Sequence, residues 1–213
     1  MLAVQDGEKA YLQKDFVGAR EIWEHLAERG DAEAEAWLGA LYANGLGVER
    51  DAARTFEYYL RSAEHGNPLA ANNVGAMYAK GEGTARDPLR AASWFRRAAE
   101  SGDALGQFNY AVALTKGIGV EADLPEAVRW YRRAAEAGHY PSQARLGYCC
   151  AKGLGIAQDP IEAFVWLSLA GRHGVGLVMT ELEEIVKTMS DDQKAMARRR
   201  LSEWTVSSGE HAS

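Results

Sequence analysis

Shifted by 36 residues, the 213-residue chain aligns with itself over four gapless segments, 32–67, 68–103, 104–139 and 140–175. Leu38-Gly39 returns as Val74-Gly75, Tyr110-Ala111 and Leu146-Gly147. Gly45-x-Gly47 returns as Gly81-x-Gly83, Gly117-x-Gly119 and Gly153-x-Gly155, and Asp51 as Asp87, Asp123 and Asp159. Tyr58, Trp94, Trp130 and Trp166 share a slot, and Gly66, Gly102, Gly138 and Gly174 close the segments. A unit this short has too little apolar surface to bury a core alone. Copies must therefore stack on copies, with at least three needed for stability.

Each unit reads as two helices. In the first, near 32–44, Ala34, Leu38, Leu41 and Tyr42 fall on one apolar stripe at helical spacing. The Gly-x-Gly segment stops it, because glycine tolerates the positive φ of a helix exit. Asp51 and its equivalents then stand where an N-cap carboxylate accepts orphan backbone N–H groups. Pro88 and Pro160 follow at the first helical position, and Asp123/Glu126 and Asp159/Glu162 have capping-box spacing. The second helix places Thr55, Tyr58, Tyr59 and Ser62 on its stripe, which become Ala91, Trp94, Phe95 and Ala98 one unit later. The 37 alanines favour such helices, since Ala loses no side-chain entropy in them.

Residues 15–31 continue the same phase backwards, with Asp15 as cap, and a stretch near 3–12 is the expected partner helix, so 1–31 is an N-terminal half-unit. Beyond the fourth repeat, 176–187 reads as one more first helix. Ser190 and Gln193 form an S-x-x-Q capping box that opens a final helix to Trp204, so 176–204 is expected to cap the array. The polar tail 205–213 is expected to fray.

Residues 1–67 carry 7 basic and 13 acidic groups, and 68–213 carry 17 of each. No broad basic excess exists to displace counterions from phosphates, so nucleic acid is excluded as a general partner. No stretch approaches the length of a membrane-spanning helix, and the N-terminus shows no secretory signal, so membrane insertion is not expected. With Met1 as the native start, the expected compartment is the cytoplasm. A signal removed ahead of Met1 would make it periplasmic or secreted. The only cysteines, Cys149 and Cys150, are adjacent and cannot build a disulfide framework.

The pattern A-x3-L-G-x2-Y-x2-G-x-G-V-x2-D-x3-A-x2-W-Y-x2-A-A-x2-G, followed through four units and the N-terminal half-unit, resembles the Sel-one-like repeat, a relative of the tetratricopeptide repeat. The longer Gly-x-Gly connection distinguishes it from the 34-residue tetratricopeptide unit. Departures such as Tyr110-Ala111 for Leu-Gly, and Leu114 and Cys150 for Tyr, read as core swaps. The resemblance implies an all-α, right-handed α/α solenoid that binds a protein or peptide as an adaptor or scaffold.

Chemistry-bearing motifs have bland explanations. Gly117-x-Gly119-x-x-Ala122 matches a dinucleotide fingerprint but follows a helix and recurs in weaker form in every unit. Cys149 and Cys150 occupy the slots of Leu41-Tyr42, where reduced Cys acts as a small hydrophobe. His25, His65, His139, His173 and His211 show no metal-ligand spacing and fall at surfaces or helix ends. Some cysteine-rich relatives are described as β-lactamases, which makes a β-lactam or cell-wall hydrolase the competing class. This chain lacks their paired cysteines and also S-x-x-K and K-T-G. No catalytic residue, metal or cofactor is expected. Arg96 with Glu100 and Arg132 with Glu136 are i,i+4 neighbours on an expected outer face, and Arg198–Arg200 could touch an acidic partner.

The face of the first helices opposite the stripe carries Trp37, Asn73, Asn109 and Arg145 in one slot. A neighbouring slot holds Ala36, Asn72, Phe108 and Ala144; another ends in Tyr148, and the helix ends carry Lys80, Lys116 and Lys152. The resemblance places this face in a concave groove. There amides could bond a peptide backbone, the aromatics could anchor side chains, and the lysines could hold an acidic segment.

Overall fold

The computed structural model describes residues 3–174 and 178–207, which form twelve α-helices and no strand. α1 (Val4–Leu12) and α2 (Phe16–Ala27) precede the repeats. These are α3 (Ala32–Asn44) with α4 (Ala52–Glu64), α5 (Pro68–Lys80) with α6 (Pro88–Glu100), α7 (Ala104–Lys116) with α8 (Leu124–Glu136), and α9 (Tyr140–Lys152) with α10 (Pro160–Arg172). α11 (Val178–Thr188) and α12 (Asp191–Ser207) end the chain. Contacts divide it into two compact units, Met1–Gly106 with Ile118–Val120, and Gln107–Gly117 with Glu121–Ser213.

In the first unit each helix from α1 to α6 packs on the next in chain order, the local arrangement of an α/α solenoid. Its core begins on Trp23, Leu38 and Leu41, all fully buried, and the Trp23 Nε1–H donates to the Val4 carbonyl at 3.2 Å. Each such side chain contributes about 2–3 kcal/mol of burial. In the second unit α8, α9 and α10 pack in order, and α11 and α12 both rest on α10. Leu146, Cys150, Leu167 and Leu169 are fully buried there, and Trp130 and Trp166 nearly so.

The caps explain why the repeat keeps its phase. The carboxylates of Asp51, Asp87, Asp123 and Asp159 accept from backbone N–H groups in the first turn of α4, α6, α8 and α10. Their own N–H groups donate backwards, to the carbonyls of Tyr42, Tyr78, Leu114 and Cys150 at 2.9–3.1 Å. That second bond corrects the capping-box reading at Glu126 and Glu162. With the cap N–H already satisfied, Glu126 turns to Arg129, and Glu162 takes Arg132 and the Trp166 indole. Ser190 and Gln193 do form a full box, at 3.2 and 2.9 Å.

The second glycine of each loop permits a close approach. A Cβ at Gly47, Gly83, Gly119 or Gly155 would fall onto Phe16, Ala52, Pro88 or Leu124, the first residue of α2, α4, α6 or α8. The loop of one hairpin is thus seated on the helix start of the hairpin before it.

α12 runs to Ser207, past the expected end at Trp204, because Trp204 packs edge-on against Trp166 at 4.8 Å and holds the last turns. The rest of the expected tail, 208–213 with His211, lies outside the described residues.

Candidate functional site

The side chains named on the first-helix face meet different environments. Trp37 stacks on Trp23 (5.0 Å between ring centres, 7° between planes) and lies 5.4 Å from Tyr11, within the N-terminal core cluster. Asn73 and Asn109 are half-buried, and Asn72 is buried. Lys80, Lys116 and Lys152 are exposed; the Lys80 ammonium is 3.8 Å from Glu82, and Lys152 bonds Glu184 of α11 at 3.0 Å.

Three of the named residues come together in the second unit. Phe108 of α7 and Arg145 and Tyr148 of α9 line a pocket of about 350 Å³. Pro141 and Ala144 of α9, Leu167 of α10, and Val178 and Glu181 of α11 complete it. Phe108 is held by Tyr131 and His139, at ring distances of 5.9 and 5.1 Å. The pocket's lining is mostly apolar, and Arg145 and Tyr148 are exposed. Such a shape suits one bulky side chain of a partner, with a cation and a phenol placed for its polar atoms. Sequence reading missed Pro141, Leu167, Val178 and Glu181. Leu167 belongs to a second helix, and α11 lies beyond the last repeat, so neither shares the first-helix slots.

Elsewhere the expected surface chemistry is revised. Arg132 is half-buried and pairs with Glu162, not with Glu136 on its own helix. Burial opposes ionisation of Glu162, but bonds from Arg132 and Trp166 and the Arg132 charge outweigh it and hold the carboxyl below its usual value. The same site flanks Cys150, whose thiol is pushed up to about 12 by burial and then by the Glu162 charge. Cys149 is raised by burial as well. Both thiols fill core slots, as their alignment with Leu41 and Tyr42 implies. Arg96 does pair with Glu100, at 2.8 Å. His25 sits in the last turn of α2, while His65, His139 and His173 stand at the caps of α4, α9 and α10. One charge cluster escaped the sequence reading. Glu35 is fully buried, with Arg61 at 2.8 Å and His65 at 2.7 Å.

Comparison with known proteins agrees with this architecture. A Sel1 repeat protein from Oxalobacter formigenes superposes with a TM-score of 0.80 at 28% identity, over 99% of this chain and 86% of that one. A protective antigen of uropathogenic Escherichia coli with an SLR fold gives 0.78 at 30% identity over 89% of this chain, which spans only 41% of the antigen. A Sel1 repeat protein of Klebsiella pneumoniae, at 18% identity and a TM-score of 0.50, shares the fold. The Sel1 repeat model matches residues 32–67, 68–103, 104–139 and 141–175, and the chain belongs to the Sel1 repeat family.

Proposed function

We propose that the chain is a non-catalytic adaptor that holds a protein or peptide, with the α7/α9/α10/α11 pocket as its anchor point. The observation that carries this reading is the meeting of Phe108, Arg145 and Tyr148, three side chains from the first-helix face, at one apolar hollow. Family membership supports an interaction module as the general role. No described helix is long and apolar enough to cross a membrane.

The aromatic wall and Arg145 supply most of the affinity in this reading, and the lysines supply on-rate. Lys116 and Lys152 attract an acidic stretch of the partner, which displaces Glu184 from Lys152. The test is a matched capture experiment once a partner has been isolated. Tyr148→Asp with Arg145→Glu should weaken capture about tenfold or more without lowering the melting temperature, because both side chains are exposed. Lys116→Glu with Lys152→Glu should weaken it in a manner that fades at high salt. Arg97 and Arg133 lie over the rings of Trp94 and Trp130, and their replacement should leave capture intact. Full retention by the Tyr148/Arg145 variant, or a larger loss from the Arg97/Arg133 variant, sinks the assignment.

A further inference from the structure

The first unit holds a pocket of different chemistry, about 490 Å³ in volume, with three arginines among its lining residues. Arg20 comes from α2, Arg50 from the loop after α3, and Arg54 from α4. These are three of only seven basic residues in an acidic third of the chain.

Two of the three depart from what the repeat does elsewhere. The slot of Arg20 holds Phe56, Ala92, Val128 and Phe164 in later units. Phe56 uses that slot to pack edge-on against Tyr78 at 5.1 Å. Arg20 instead lines the pocket beside Tyr42; its Nε is buried without a hydrogen bond, and the Glu24 carboxylate stands 3.5 Å away. A half-buried guanidinium costs more desolvation than an aromatic ring in that slot, and an anion in the pocket would offset part of that cost. Two of the equivalents of Arg50 fold back on their own helix ends. Arg86 bonds the Ala79 carbonyl at 3.1 Å and Gln158 the Ala151 carbonyl at 2.8 Å. Arg50 turns to the pocket.

Arg54 is fixed in advance. Its guanidinium donates to the Tyr42 hydroxyl at 2.9 Å and lies 5.3 Å from the centre of the same ring. Glu49 and Asp51 also line the pocket, but Asp51 is committed to the α4 N-cap and to Arg54 at 3.6 Å. With Glu24 beside Arg20, three cations face three carboxylates, so the pocket stands out by its guanidinium donors rather than by net charge. A carboxylate ligand offers one charge and two oxygens, whereas a phosphate offers up to two charges and enough oxygens for several guanidinium forks. We propose that this pocket binds a phosphate group, free or carried on a phosphorylated side chain. The proposal does not rest on the adaptor reading, since it concerns other residues in the other unit.

The test is calorimetric titration and thermal unfolding of the full chain with inorganic phosphate and with O-phospho-L-tyrosine, against chloride at equal ionic strength. Wild type should bind at least one of the two and melt at a higher temperature in its presence. Arg20→Phe recreates the residue of the Phe56 and Phe164 slots, and Arg50→Gln the residue of the Gln158 slot. Each should weaken binding about tenfold or more, and Arg20→Phe should melt no lower than wild type in chloride. Tighter binding of phosphotyrosine assigns a phosphorylated side chain, and equal binding assigns the free ion. Arg199→Ala, on exposed α12, should bind as wild type does. The proposal is overturned if neither probe binds beyond chloride, or if Arg20→Phe and Arg50→Gln bind as tightly as wild type.

Discussion

Repeats one and two differ from repeat four in how they use the same pair of slots. In the former, Tyr42 and Tyr78 run from the core outwards, and their hydroxyls accept from Arg54 and Arg90 at 2.9 and 3.3 Å. In repeat four the slots hold Cys150 and Glu162, and the carboxylate is drawn inwards to Arg132 and Trp166. A tyrosine is long enough to bring its polar end to the rim, where an arginine can cover it. A cysteine stops short, and the space above it admits a half-buried ion pair. Repeat three sits between: Leu114 stops short too, but Glu126 stays on its own helix with Arg129. Length at one slot decides which charge the other can carry, while the backbone stays the same.

The severest way to break this comparison is to remove backbone rather than side chains. Deleting 104–139 takes out one whole repeat and preserves the phase, so circular dichroism should show a shorter, helical protein with a cooperative melt. Deleting 104–121 leaves α8 without its partner helix and should abolish cooperative melting. Equal behaviour of the two deletions would show that the repeat is not the structural module.

A buried charge sharpens the contrast further. Glu35 is fully buried in repeat one, where the later units have Ala71, Gln107 and Gln143. Arg61→Ala removes one of its two partners and leaves a carboxylate in the core beside His65 alone, which should cost about 3 kcal/mol in denaturant titration. Adding Glu35→Gln should restore most of that loss, since no uncompensated buried charge remains. Arg97→Ala, in a repeat with Ala71 in place of the carboxylate, should cost well under half as much.

Glu162→Gln should cost less, about 1 kcal/mol at neutral pH, because Arg132 keeps access to water. The sign of its pH dependence follows from the lowered pKa of Glu162. The wild-type advantage should be complete above the ordinary carboxyl value of 4.5 and fade as acid protonates the folded state below it. An advantage that persists at strongly acid pH would exclude the Arg132–Glu162 pair as its origin. Smallest is the thiol effect. Cys149 and Cys150 should label slowly in native buffer and fast in denaturant, and Cys150 should be the slower, in line with its complete burial.

What the sequence makes legible is whatever recurs at the repeat interval or sits within a helical turn. The caps at Asp51, Asp87, Asp123 and Asp159, the glycine exits and the apolar stripes all belong to that class. The Arg132–Glu162 pair does not, because it joins residues thirty positions apart while a plausible partner, Glu136, lies one turn away. Trp37 is similar: its slot reads as exposed, yet Trp23 of the preceding half-unit supplies a ring to stack on. The candidate pocket was half legible. Phe108, Arg145 and Tyr148 stand out on the first helices, but Leu167 comes from the apolar stripe of a second helix, and Val178 and Glu181 come from α11, beyond the last repeat.

The seating of each loop glycine on the helix start of the preceding hairpin has a genetic consequence. At Gly83, Gly119 and Gly155 the atoms met first are backbone carbonyls, of Ala52, Pro88 and Leu124, so the joint does not depend on which side chain the neighbour carries. Unequal crossing-over between misaligned copies, gaining or losing one whole block of coding sequence, therefore regenerates a working joint at the new boundary without any compensating change. Insertions of other lengths do not. The array can grow or shrink in whole steps across generations while its surface residues diverge independently.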